Sequence, residues 1–303
     1  HVFPFVRFIY HVNFLFPGSK HHIVNVVDSG SRDTKNVFHE VNQQIKLLRD
    51  EELLAEECLK EFGFKNNNKF VCIVSRDTSY KFKKHPKVDW SYHNYRDSDI
   101  DNYKDAAIRL ADMGYFVFRI GAIVDKKFDV DHEKIIDYAT SSIRSDLLDI
   151  YLVSKCTFIL IGESGLSSLA TSFRVPIAFV NLSAVEYILS HNSRIISIPK
   201  KMWLRREERY LRFDEIFNQG IGRFLSSKKY EEKGIDLIEN TPDEITDVAM
   251  ELHTRLNDSW EESVEEQILQ SKFWKLLPKS QLHGNKILSR VGASYLDKYQ
   301  NLL

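Results

Sequence analysis

Thr157 to Ala170 reads TFILIGESGLSSLA: an apolar β-type run stops at Gly-Glu-Ser-Gly and passes straight into a helix of small and aliphatic residues. Such a turn presents backbone N–H groups and a positive helix end to a phosphate or an anionic sugar nucleotide, although many glycine-bearing strand-to-helix turns bind nothing. Gly162, Glu163, Ser164 and Gly165 are therefore the first candidate residues. In doubly wound sheets, ligands sit beyond the carboxyl ends of the strands, so polar residues that close other β-type runs belong with them. Arg76 and Asp77 follow FVCIVS, Arg119 and Gly121 close YFVFRI, and Asn181 closes PIAFVN. Two arginines on one rim would suit a diphosphate, because guanidinium offers bidentate, permanently charged hydrogen bonding. The alternative is a structural salt bridge, such as Arg76 with Asp77.

Two further clusters extend the set. In YATSSIRSD, Tyr138 and Arg144 stand between a strand and a helix, where Arg144 could face the crevice or serve as a surface charge beside a cap. WSYHNYRDSD, Trp90 to Asp99, interleaves aromatics with His93 and Arg96, a composition suited to stacking on a sugar or base and equally to plugging a domain edge. His93 is the acid/base candidate.

The elements that position these residues alternate short β-rich runs with amphipathic helices, the pattern of a parallel α/β sheet covered on both faces. Expected strands are Phe70 to Ser75, Tyr115 to Ile120, Thr157 to Ile161, Pro176 to Asn181 and Arg194 to Ile198. Ser98 with Asp101 suggests one helix start, and the stripe Ile100, Tyr103, Ala107, Leu110 runs on to Gly114. Ser145 is the expected cap of a helix through Lys155, with Asp146 and Asp149 in its positive first turn. Thr241-Pro242-Asp243-Glu244 combines cap, first-turn proline and a reaching glutamate. Ile245, Val248, Ala249, Leu252 and Leu256 then form one apolar face.

Composition narrows the classes. Lys+Arg 42 against Asp+Glu 43 leaves no global basic field to grip nucleic acid. Cys58, Cys72 and Cys156 lack metal-type spacing and fit a reducing cytoplasm. No apolar run reaches the roughly 18 residues that span a bilayer. The opening HVFPFVRFIYHVNFLFPG is read as a strand and helix of a core rather than a membrane-contacting surface, and its initial His suggests that the natural start lies upstream. Asp97-Ser98-Asp99 and Asp129-Val130-Asp131-His132 resemble metal-holding carboxylate pairs, but the first overlaps a helix start and the second is loop-like, so no metal is expected. Serine-hydrolase, zincin, zinc-ribbon, P-loop and dinucleotide fingerprints are all absent from the sequence.

From Lys69 to Leu256 the chain resembles a family of bacterial glycosyltransferases of surface-polysaccharide gene clusters. The resemblance is carried by WSYHNYRDSDIDNY, YFVFRIGA, IIDYATSSIRSDLLDIYLVSKCTFIL, the GESGL turn, VPIAFVN and YEEKGIDLIENTPDEI. It implies a GT-B-like architecture of Rossmann-type halves, with a nucleotide sugar held mainly by the second half and catalysis without a bound metal or resident cofactor. Residues 66–257 would be that half. Residues 1–65, ending near the polar Asn66 to Asn68, would be a reduced or truncated acceptor-side part, and 258–303 a helical tail packing back on it.

The expected activity is transfer of a sugar from a nucleotide-sugar donor to a glycan or lipid-linked glycan, in the cytoplasm or peripherally at the inner membrane. Arg76 and Arg119 would neutralise the leaving phosphate, with donor contacts from Asp77, Arg96, Gly121, Tyr138, Arg144, Gly162, Glu163, Ser164, Gly165 and Asn181. A non-catalytic nucleotide-sugar or glycan-binding module and a nucleotide-sugar epimerase are the alternatives.

Overall fold

The computed structural model describes residues 2–19, 33, 36–65, 67–84, 86–280, 282–284 and 286–303. Its centre is a seven-stranded sheet: β1 (Phe70–Val74), β2 (Phe116–Arg119), β3 (Ile135–Ile136), β4 (Ile159–Ile161), β5 (Ile177–Leu182), β6 (Ile195–Pro199) and β10 (Arg290–Val291). The spatial order is β10-β6-β5-β4-β1-β2-β3, and every neighbouring pair is parallel. The chain winds outward from β1 through β2 and β3, then returns to β4 on the other side. β1 and β4 therefore flank the topological switch point, where both connections leave the sheet in opposite directions and open a crevice.

The expected α/β doubly wound parallel sheet is thus the observed one. Its strands are continuous apolar runs because helices cover both faces, leaving β1, β2 and β4 buried throughout. Five strands are additional to the expected set. β3 and β10 contribute two residues each, too few to show any periodicity. β7 (Lys201–Leu204), β8 (Arg209–Tyr210) and β9 (Ile235–Ile238) form a small antiparallel sheet in a charge-rich stretch.

Capping chemistry sets the helix starts. Ser145 Oγ accepts from Leu148 N at 3.2 Å and opens the helix Asp146–Lys155. Thr241 and Glu244 form the full capping box ahead of Pro242–Leu256. At the third start the expectation is corrected: Asp99, not Ser98, caps the turn, its Oδ1 accepting from Asp101 N at 3.0 Å. Ser98 Oγ instead hydrogen-bonds the buried Tyr103 hydroxyl at 3.1 Å.

The two flanking regions pack differently from their expectations. Helix Val2–Asn13 leaves Phe5, Phe8 and Ile9 largely exposed, so these residues join no core. Helix Arg49–Leu59 buries Ala55 and Leu59, and its Glu52 bonds Lys155 at 2.5 Å on the helix that follows Ser145. In the tail, Phe273 of helix Val264–Leu276 packs edge-on against Phe213, 5.1 Å between centroids, and β10 extends the sheet beside β6. Described tail residues thus rest mainly on the sheet-bearing unit, with Asn36 Nδ2 to Lys286 O, 3.4 Å, as a link to the N-terminal part. Among the described residues no helix is long and apolar enough to cross a membrane.

Candidate functional site

Two cavities open at the carboxyl ends of the central strands, sharing one wall. The first, about 470 Å³, lies at the switch point and is lined by Ser75, Arg76 and Asp77 after β1, Gly121 to Val124 after β2, and Glu163, Ser164 and Gly165 after β4. The second, about 540 Å³, lies on the β5 side and is lined by Tyr95, Tyr187, Phe179 and the hydroxyl-bearing face of helix Leu166–Ser172. Arg96, Glu163, Ser164 and Gly165 belong to both linings.

Arg76 is largely buried and is held in place by two acceptors: its Nη1 donates to His93 O at 3.0 Å and to the Asp97 carboxylate. The salt-bridge partner is therefore Asp97 rather than Asp77. Asp77 instead accepts from Ser79 N at 2.9 Å and Asp125 N at 3.1 Å, fixing the loop at the cavity mouth. Burial pulls the Arg76 guanidinium below its ordinary pKa, against the pull of Asp97. It pushes the Asp97 carboxyl up to about 6 despite Arg76 and Lys200.

Arg96 reaches the shared wall because the turn Ser91–Arg96 is fastened from several sides. Buried Lys200 donates to Tyr95 O at 3.2 Å and Asp97 O at 2.6 Å; Ser183 Oγ donates to Tyr95 O at 2.7 Å. Arg96 Nη2 bonds His93 Nδ1 at 2.8 Å, and its buried Nε has no hydrogen-bond partner within the protein. Glu163 faces it across the wall. Burial raises the Glu163 carboxyl, while Arg96, Lys200 and the Ala184 and Ser183 amides oppose that shift. Its Oε2 is buried and has no hydrogen-bond partner. In a folded interior such unmatched polar atoms are uncommon, and they mark where a ligand's own groups could complete the bonding.

Gly121 shows why glycine stands at one cavity edge: a Cβ there would lie 2.8 Å from Val124 Cγ1. The backbone can then approach the loop that closes the cavity.

Several candidate residues lie elsewhere, and each for a visible reason. Arg119 is 1% exposed, with Nη1 on Asp137 Oδ1 at 3.1 Å and Nη2 donating to Lys126 O at 3.2 Å, and it lines neither cavity. The strand's alternation sends its side chain away from the rim. Asn181 is fully buried in the left-handed region (φ 56°), exchanging hydrogen bonds of 2.6 and 2.7 Å with Asn240. Tyr138 is fully buried, its hydroxyl bridging Ser145 N and O at 3.0 and 3.1 Å.

Arg144 pairs with Asp146 at 2.9 Å and Asp149 at 2.6 Å, and only Asp149 reaches the smaller cavity. Gly162 packs under Tyr103, whose hydroxyl would lie 3.4 Å from an added Cβ. The His93 ring lies tilted against Tyr92, 3.9 Å between centroids, and lines neither cavity; its Nδ1 meets Arg96 Nη2. Within the discounted Asp-Ser-Asp pair, Asp97 holds Arg76 and Asp99 caps a turn. Among the described residues no three His, Cys, Asp or Glu side chains gather as a metal site.

Asp97 enters the sequence analysis only as part of a discounted metal pair, and Lys200, Ser167, Ser168, Thr171 and Ser172 are not among its candidates. The last four were legible in one respect: hydroxyls at three- and four-residue spacing replace the apolar stripe that a buried helix normally carries.

No protein-family model matches this sequence, and no curated protein matches it. Among solved structures, 38% of the chain is similar to the iron-containing heptosyltransferase TibC in complex with ADP-D-beta-D-heptose, at 19% identity and a TM-score of 0.25. A second TibC structure, from enterotoxigenic E. coli H10407, is similar over 38% at 20% identity and a TM-score of 0.26. E. coli ADP-heptose LPS heptosyltransferase II is similar over 72%, at 15% identity and a TM-score of 0.37. The chain spans 27%, 29% and 57% of those proteins. These structural neighbours are glycosyltransferases, while the architecture of the present chain rests on its own strand pairing.

Proposed function

We propose that this chain binds a nucleotide-sugar donor at the switch point and is a glycosyltransferase acting on a glycan or lipid-linked glycan. The observation that carries the reading is the convergence of Arg76, Arg96, Glu163, Ser164 and Gly165, from three separate segments, on two adjoining cavities. A permanently charged guanidinium held by its own acceptors is already oriented and already stripped of much of its water. Its attraction for a diphosphate is then stronger than in solvent, and it grows as the glycosidic bond breaks and charge collects on the leaving phosphate.

In this reading Arg76 faces the diphosphate from the smaller cavity and Arg96 from the shared wall. Glu163 takes hydroxyls of the donor, and Asp77 and Gly121 shape the loop over it. His93 holds Arg96 in orientation rather than acting as acid or base. Arg119 is left to the fold. The acceptor hydroxyl attacks the anomeric carbon, the bond to the phosphate oxygen breaks, the electron pair leaves with the nucleoside diphosphate, and the acceptor's proton passes to the departing phosphate oxygen or to solvent. The nucleotide sugar is a substrate, and the scheme uses no resident cofactor or metal. Work on a lipid-linked acceptor would place the protein peripherally at the cytoplasmic face of the inner membrane.

The test is to incubate the protein with radiolabelled nucleotide sugars, with and without membrane extracts, and to follow label and free nucleotide. Transfer of label into a glycan together with nucleotide release supports the reading. Binding without release would make the chain a non-catalytic module, and interconversion of the sugar without an acceptor would make it an epimerase.

A further inference from the structure

The two cavities differ in the hydrogen bonding that they offer. The smaller one carries Arg76, whose guanidinium is a pure donor. The larger one is walled by helix hydroxyls whose protons are already committed: Ser167 Oγ donates to Ser164 O at 2.8 Å, Thr171 Oγ1 to Ser167 O at 2.9 Å, and Ser172 Oγ to Ser168 O at 2.9 Å. A hydroxyl that donates inward to its own helix turns its lone pairs outward.

Carboxylates line both cavities: in the smaller, Asp77 is taken by backbone amides and Asp149 by Arg144, while Asp33 and Glu163 line the larger. Glu163, opposite Arg96 on the shared wall, keeps a buried oxygen without a partner. Asp33 is itself committed, accepting from Val37 N at 2.8 Å and Phe38 N at 2.7 Å. Tyr95, Phe179 and Tyr187 add aromatic surface. Outward lone pairs, the unpartnered Glu163 oxygen and aromatic faces match a ring that brings many O–H donors. A carboxylate or phosphate, which only accepts, would meet lone pairs and like charge.

We propose that the donor's sugar occupies the larger cavity, and that this cavity admits neutral polyhydroxylated rings while rejecting rings that carry a carboxylate. The proposal rests on the reading of the switch-point cavity as the nucleotide site and adds the class of sugar that the donor bears. Discrimination of this kind comes as much from what the wrong ligand leaves unpaired as from what the right one gains.

The experiment has two stages, both by calorimetry on the full chain. ADP, GDP, UDP and CDP are titrated first, and the glucose and glucuronate conjugates of whichever base binds are titrated next, so that the ligands differ only at one carbon. Glucose conjugates are expected to bind roughly tenfold or more tightly than the glucuronates, as one like-charge repulsion on a partly buried wall requires. Glu163→Gln removes that charge without changing its size and is expected to shrink the gap several-fold.

Equal or tighter binding of the glucuronate overturns the sugar assignment while leaving the nucleotide site standing. A gap that is unchanged in Glu163→Gln, with the variant folded, also overturns it. Failure of all four diphosphates to bind overturns the underlying reading and the sugar assignment together. Because the wild-type pair alone decides the main point, the test survives a variant that fails to fold.

Discussion

Lys200 and Lys201 are consecutive, both nearly fully buried, and they do opposite things. Lys201 Nζ meets Glu244 Oε2 at 2.6 Å, and Lys298 at 3.0 Å and Tyr299 at 2.5 Å complete the other oxygen. Burial alone would raise the Glu244 carboxyl, but Lys201, Tyr299 and Lys298 hold it at about 2. Lys200 turns to the other side, donates to main-chain carbonyls and braces a turn whose own polar atoms are left partly unmatched. There burial wins, and Asp97 and Glu163 are both pushed up. Around Glu244 the carboxylate's bonds are made within the fold, whereas beside Lys200 Arg96 Nε and Glu163 Oε2 keep bonding capacity at a cavity wall.

The largest effect expected from this contrast is on the closed cluster. Lys201→Met leaves Glu244 with a charge that Lys298 alone must balance, so unfolding by urea should show a loss of about 3 kcal/mol, in the range for breaking a buried ion pair. Nucleotide affinity should not change, because Lys201 touches neither cavity. Weakened binding in a folded Lys201→Met protein would blur the distinction.

Arg119→Met makes the same point inside the set of candidate residues. Asp137 loses its buried partner, and a loss of about 2–3 kcal/mol in stability is expected with donor affinity intact. A drop in affinity without a drop in stability would return Arg119 to the site.

The two clusters should also respond to pH with opposite sign. Glu244 has a folded pKa below its ordinary 4.5, so its contribution is fully present above pH 4.5 and is lost as pH falls from there toward 2. Asp97 has a folded pKa above its ordinary 3.8, so its penalty is absent below 3.8, grows as pH rises toward 6 and is complete above. Asp97→Asn should therefore gain stability relative to the wild type, by about 2 kcal/mol, between pH 4 and 6 in urea titrations. A flat difference over that range would show that Asp97 is not strained by its burial.

Much of this is legible in the sequence, and what is not follows a rule. Runs such as FVCIVS and TFILI declare buried parallel strands, and Ser145 and Thr241 declare helix starts, because these signals are local. Arg76 and Gly165 fall on one crevice because strand ends converge in any sheet of this winding. Arg119 and Asn181 stand at strand ends too, but a strand end does not say which way its last side chain turns, and partners as distant as Asn240 decide that. Lys200 cannot be told from Lys201 by sequence, since Lys200 sits at the bend between β6 and β7 and the geometry of that bend sets which way each side chain turns.

The most direct test of the central claim is the affinity of Arg76→Met for a nucleoside diphosphate, measured by calorimetry beside the wild type and Arg119→Met. The account predicts roughly tenfold or greater weakening for Arg76→Met, as loss of a charge-assisted contact of about 1.5–3 kcal/mol requires, and no change for Arg119→Met. Equal affinity in a folded Arg76→Met protein would contradict it.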